Sequence, residues 1–86
     1  MSATILIVDD DKLVQQRLTN LLEKEDHNVI ASHGDDELSS ALEDDEISVM
    51  IIEPHLSERD GLEVIRKAKK ASPITQTIIL TKEGTM

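Results

Sequence analysis

Four short apolar runs, each closed by an acid or a hydroxyl residue and separated by helix-length stretches, constrain the chain more than any other feature. Thr4-Ile5-Leu6-Ile7-Val8 ends in Asp9-Asp10-Asp11, and Asn28-Val29-Ile30-Ala31-Ser32 ends at a serine. Ser48-Val49-Met50-Ile51-Ile52 ends in Glu53, and Thr77-Ile78-Ile79-Leu80 ends in Thr81. Continuous β-branched runs of this length suit strands buried on both faces, as in a parallel sheet. Between the first two runs, Val14, Leu18, Leu21 and Leu22 recur at helical spacing, which predicts a helix over about 12–24 capped by Asp10 or Asp11. Leu38, Ala41 and Leu42 mark a second helix capped by Asp35 or Asp36, with Glu43 to Glu46 read as an exposed acidic loop. Pro54 to Gly61 reads as a loop. Leu62, Val64, Ile65 and Ala68 then mark a third helix, stopped at Ser72-Pro73. Lys82 to Met86 reads as a tail. The order is β-α-β-α-β-α-β. Right-handed crossovers turn that order into a doubly wound α/β sheet with helices on both faces. The 86 residues form one domain, 1–86.

Composition removes whole classes of function. There is no Cys, so disulfides, thiolate metal sites and cysteine nucleophiles are excluded. There is no Phe, Tyr or Trp, which removes base stacking and cation–π cages and leaves the core to Ile, Leu, Val, Ala and Met. The net charge of −9 repels phosphate backbones and anionic lipid, so direct nucleic acid contact is not expected. No apolar run approaches a membrane span, and no signal peptide opens the chain, so a cytoplasmic location is the expectation. The charge is lopsided. Residues 1–46 carry 13 acids and 3 bases, and residues 47–86 carry 5 acids and 6 bases. The basic cluster of Arg66, Lys67, Lys69 and Lys70 suits the C-terminal end of the third helix and reads as a solvated face.

Ligands of open α/β sheets sit beyond the C-terminal ends of the strands. Those ends here are Asp9, Asp10, Ser32, Glu53 and Thr81. If the first and third strands are neighbours, about 4.8 Å apart, three carboxylates converge. A hard divalent cation such as Mg2+, which takes a few carboxylates and keeps several waters, relieves their repulsion. The plainer alternative stands beside this one: Asp9 to Asp11 as a loop and helix cap, and Glu53 as a solvated strand end. The three histidines, His27, His33 and His55, lie on separate connections without zinc spacing. No glycine-rich phosphate loop follows the first strand, which removes dinucleotide and P-loop chemistry. Ser57 has no nucleophile elbow around it.

Ile5-Leu6-Ile7-Val8-Asp9-Asp10-Asp11, Ile51-Ile52-Glu53, Asp60-Gly61-Leu62-Glu63-Val64-Ile65 and Ile78-Ile79-Leu80-Thr81 together resemble the receiver domain of two-component response regulators. The resemblance spans nearly the whole chain. It implies a flavodoxin-like sheet of order 2-1-3-4 and Mg2+ held by Asp9, Asp10, Glu53 and the backbone carbonyl of His55. It also implies a phosphoacceptor position at Glu53, a switch hydroxyl at Thr81, and a histidine kinase as partner.

Three departures from that family shape the expected function. The acceptor is Glu53 where the family has Asp, and the extra methylene advances the carboxylate by about 1.5 Å. The family continues past the fourth strand to a fifth-strand Lys, which no residue here matches; Lys82 is not its counterpart. Ser57 stands where the family has Pro, and Pro54 follows the acceptor directly. These point to an atypical receiver that is not an enzyme, works through protein–protein contacts, and self-associates through strand four or the exposed sheet face. The alternatives are a phosphoacceptor that still uses Mg2+ on Asp9 and Asp10, and a structural dimerisation piece of a larger regulator.

Overall fold

A computed structural model describes residues 3–32, 35–44, 47–53 and 60–80. Its elements alternate as expected: β1 (Thr4–Val8), α1 (Lys12–Lys24), β2 (Asn28–Ser32), α2 (Asp35–Asp44), β3 (Val49–Ile52), α3 (Gly61–Ala71) and β4 (Gln76–Ile79). All strand pairs are parallel, and the sheet order is β2-β1-β3-β4. The fold is the flavodoxin-like, doubly wound arrangement read from the sequence. Right-handed crossovers put α1 on one face of this sheet and α2 and α3 on the other.

Side-chain alternation divides the strands between those faces. Leu6, Val8, Met50 and Ile52 join Leu38, Ala41, Leu42, Val64 and Ala68 in one buried cluster under α2 and α3. Ile5 and Ile7 point to the α1 face and are also buried. That face is less completely covered. Leu21 and Leu62, both expected on buried helix faces, are exposed at 60% and 59%. Among the described helices α1 stands alone on its side, so Leu21 has no neighbouring helix to bury its side chain; Leu62 lies on the first turn of α3, on the opposite side of the sheet.

Helix α1 has the expected bounds, and its cap is Asp11, one of the two candidates, whose Oδ1 accepts the N–H of Leu13 at 2.9 Å and of Val14 at 3.3 Å. Other boundaries differ from the sequence reading. Helix α2 begins at Asp35, so neither Asp35 nor Asp36 precedes it as a cap, and it continues through Glu43 and Asp44 into the expected acidic loop. Burial of Leu38, Ala41 and Leu42 outweighs the few tenths of a kcal/mol by which acids oppose a helix C-terminus. Gly61 is the first residue of α3, not the last of a loop; Asp60 Oδ1 caps the helix by accepting the Leu62 N–H at 3.0 Å. Strand β3 covers Val49–Ile52, one residue shorter at each end than expected, and β4 covers Gln76–Ile79, starting one residue earlier than expected and stopping short of Leu80.

At the α3–β4 corner, the buried Thr75 hydroxyl donates to the Ile47 carbonyl at 2.7 Å. Its single proton is thereby used, so Ser72 Oγ donates to Thr75 Oγ1 across 2.6 Å.

The exit from α1 holds a residue that no pattern in the sequence singled out. The N–H of His27 donates to Leu22 and that of Asp26 to Glu23, which is a Schellman closure. Its left-handed position is Asp26, at φ 64°, where glycine is the favoured residue. Asp26→Gly is expected to stabilise the domain by about 0.5–1 kcal/mol, raising Tm by roughly 3–6 °C. A thermal melt checks this. A fall in Tm would mean that the aspartate side chain contributes more than its backbone geometry costs.

Candidate functional site

The C-terminal strand ends meet along one edge of the sheet. Val8 and Ile52 are register partners, so Asp9 and Glu53 occupy the next adjacent positions on β1 and β3. The ladder continues through them, since the Glu53 N–H donates to the Val8 carbonyl at 3.0 Å. Asp9 and Glu53 are only 3% and 4% exposed, so Glu53 is not the solvated strand end of the plainer reading. Ser32 is buried beside them at the end of β2, which pairs Val8 with Ser32. Asp10 is exposed. Thr81 and His55 lie outside the described residues, though Leu80, directly before Thr81, donates to the Ile52 carbonyl at 2.8 Å.

Local hydrogen bonds hold the acidic turn in shape. Asp9 Oδ1 accepts the Asp11 N–H at 2.8 Å, and Asp11 in turn caps α1. The buried Gln15 side chain donates from Nε2 to the Asp9 carbonyl and, at 3.2 Å, to the Ser32 carbonyl. Sequence reasoning passed over Gln15. The signal was present: Gln15, Leu18 and Leu22 share the inward stripe of α1, so a polar side chain stands at an apolar position.

As donors, Asp9, Asp10 and Glu53 offer only hard carboxylate oxygens, the type Mg2+ and Ca2+ prefer. Mg2+ is commonly held by one or two carboxylates plus waters, so the paired strand-end acids fit its chemistry. Among the described residues, no group of three or more His, Cys, Asp or Glu side chains is gathered closely enough to hold a metal by itself. A separate groove of about 250 Å³ lies between α2 and α3, lined by Leu38, Leu42, Lys67 and Lys70. It sits on the C-terminal half of α3, at the opposite end of that helix from its Asp60 cap, and takes no part in this cluster. No described helix is long and apolar enough to cross a membrane.

Comparison with known proteins agrees with this fold. The profile of the response regulator receiver domain matches residues 5–86. The transcriptional regulatory protein CpxR of Escherichia coli K12 is 36% identical over 80 residues, which is 93% of this chain and 34% of CpxR. The chain thus spans about a third of the length of that relative. A response regulator from Burkholderia pseudomallei, solved with a phosphorylated aspartic acid and a calcium ion, superposes with a TM-score of 0.87 at 21% identity. It covers 98% of this chain and 49% of that one. TrrA from Thermotoga maritima, solved with Mg2+ and BeF, gives a TM-score of 0.82 at 22% identity, over 95% of this chain and 71% of that one.

Proposed function

The chain belongs to the response regulator receiver family, and on that premise we propose that it is an atypical receiver, signalling in the cytoplasm through protein–protein contacts without an ordinary phosphoryl cycle. The observation that carries the reading is Glu53. It is buried at the end of β3, beside Asp9, where the family has the shorter aspartate. A nucleophile must approach phosphorus in line, and displacement of about an ångström in such a step costs roughly a hundredfold in rate. In this reading the Glu53 carboxyl group stands where phosphorylation of an aspartate would add negative charge.

Asp9, Asp10, Glu53 and the His55 carbonyl would hold Mg2+, and Thr81 would supply the switch hydroxyl. When bound, the ion neutralises charge gathering on phosphoryl oxygens. The partners are a histidine kinase or another signalling protein, and a second copy of the chain. A signalling role of this kind makes the domain no enzyme; at most it accepts a phosphoryl group.

Backbone amide NMR during a Mg2+ titration, followed by incubation with phosphoramidate and intact mass measurement, tests the proposal. Saturable Mg2+ shifts at Asp9, Asp10 and Glu53 with no phosphoryl adduct support it. A stoichiometric adduct on Glu53 would replace it with the phosphoacceptor reading.

Self-association is the second element of the proposal. In the described sheet β4 is an edge, with Ile78 exposed at 51% next to Ile51 on the incompletely covered α1 face. Residues 71–81 carry no charge, so this edge is where two copies of a −9 chain repel least. Light scattering is expected to show a concentration-dependent dimer that Ile78→Lys converts to monomer. A wild-type chain that stays monomeric at high concentration would defeat this part.

A further inference from the structure

We propose that Gln15 is the positioning residue of the acidic cluster: its side-chain amide clamps the peptide shared by Asp9 and Asp10 to the end of β2, and so sets where both carboxylates point. This deepens, and rests on, the reading of the strand-end acids as a divalent-cation pocket.

Both neighbours of the Gln15 side-chain nitrogen are backbone carbonyls, those of Asp9 and Ser32. Only the NH2 end of the amide satisfies two acceptors, so its orientation is determined by its surroundings. Its two protons account for both contacts. The Asp9 carbonyl is the oxygen of the Asp9–Asp10 peptide, and fixing it fixes the rotation of that plane. The same short turn is held on its other side by the Asp11 N–H on Asp9 Oδ1, at 2.8 Å. Glu53 is tied to β1 through its own N–H on the Val8 carbonyl. The two acids after β1 are therefore oriented by three separate anchors, one from the chain itself, one from β3 and one from α1. The anchor from α1 is a side chain, and it joins this turn to β2 through the Ser32 carbonyl. Gln15 is 5% exposed, so water does not readily replace it.

A matched control exists at the far end of the sheet. Thr75 is likewise buried and likewise donates to a backbone carbonyl, that of Ile47, before β3 begins. Losing either donor removes a hydrogen bond from a buried carbonyl, but Thr75 lies at the opposite end of the strands from the acidic turn.

The experiment compares wild type, Gln15→Met, Gln15→Lys and Thr75→Val, each checked for folding by its amide spectrum. Mg2+ is titrated as the chloride, and amide exchange is read at Asp10 and Asp11. Gln15→Met, which keeps length and removes the donors, is expected to weaken Mg2+ about tenfold, the size typical of groups that orient metal ligands. It is also expected to speed exchange at Asp10 and Asp11 beyond that of Thr75→Val. Thr75→Val is expected to bind Mg2+ as wild type does. Gln15→Lys, which restores a donor, is expected to bring exchange at Asp10 and Asp11 back toward wild type. The proposal is overturned if Gln15→Met binds Mg2+ like wild type, or if Thr75→Val weakens it equally. If the wild type shows no saturable Mg2+ shift, the pocket reading itself fails. Positioning is then decided by exchange alone, and equal rates at Asp10 and Asp11 in Gln15→Met and Thr75→Val overturn it.

Discussion

Glu53→Asp is expected to raise the rate of phosphorylation by phosphoramidate in Mg2+ by at least about a hundredfold. The argument is one of distance. Asp9 and Glu53 occupy adjacent register positions on β1 and β3, and both are buried, so the backbone around the acceptor is already tied down. Shortening the side chain by one methylene withdraws the carboxylate by about 1.5 Å without disturbing the ladder bond from its N–H to Val8. The cost of the glutamate therefore resides in the reacting oxygen and not in the fold. Intact mass measurement reads the adduct directly, and an added Asp9→Asn change is expected to suppress it by removing a metal-binding charge. Equal labelling of the wild type and the Glu53→Asp variant would show that the methylene is not the block. No labelling of either would show that the acidic cluster has lost its chemistry for a different reason.

How far the sequence revealed this site depends on which physical signal each residue emits. Asp9 and Glu53 are visible because each ends a continuous apolar run, and a parallel sheet brings such ends to one edge. The order β2-β1-β3-β4 follows from alternation, handedness and the family resemblance together. Gln15 emits a weaker signal. A glutamine within an amphipathic helix looks like surface until the strand ends supply two carbonyls for it to meet. Asp26 emits none, because Glu25-Asp26-His27 contains no glycine to mark a left-handed residue. The misplaced end of α2 has a different cause. Charge at Glu43 and Asp44 argued for a loop, but electrostatics at a helix terminus is worth far less than three buried apolar side chains. Leu21 and Leu62 erred in the opposite direction. Periodicity identifies the apolar stripe of a helix, but how much of that stripe is covered depends on neighbours that periodicity does not contain.

That uneven coverage leads to the largest stability effect expected of any single change. Leu6 is fully buried in the centre of β1, at the middle of the cluster under α2 and α3. Truncating it to alanine removes three carbons from a site walled by Val8, Met50, Ile52 and the two helices, where collapse to refill the space is limited. Leu6→Ala is expected to cost about 3–4 kcal/mol. A chain of 86 residues has roughly 4–13 kcal/mol in total at 0.05–0.15 kcal/mol per residue, so this variant loses a large share of its stability. Ile78→Ala deletes a similar volume from β4, but from a side chain already half exposed on the α1 face, and is expected to cost below about 1 kcal/mol in the monomer. Urea titrations at a concentration low enough to exclude dimers compare the two. Equal losses would mean that the α1 face contributes as much to stability as the α2–α3 face. The exposed edge would then be part of the core, leaving no apolar surface there for a second copy to cover.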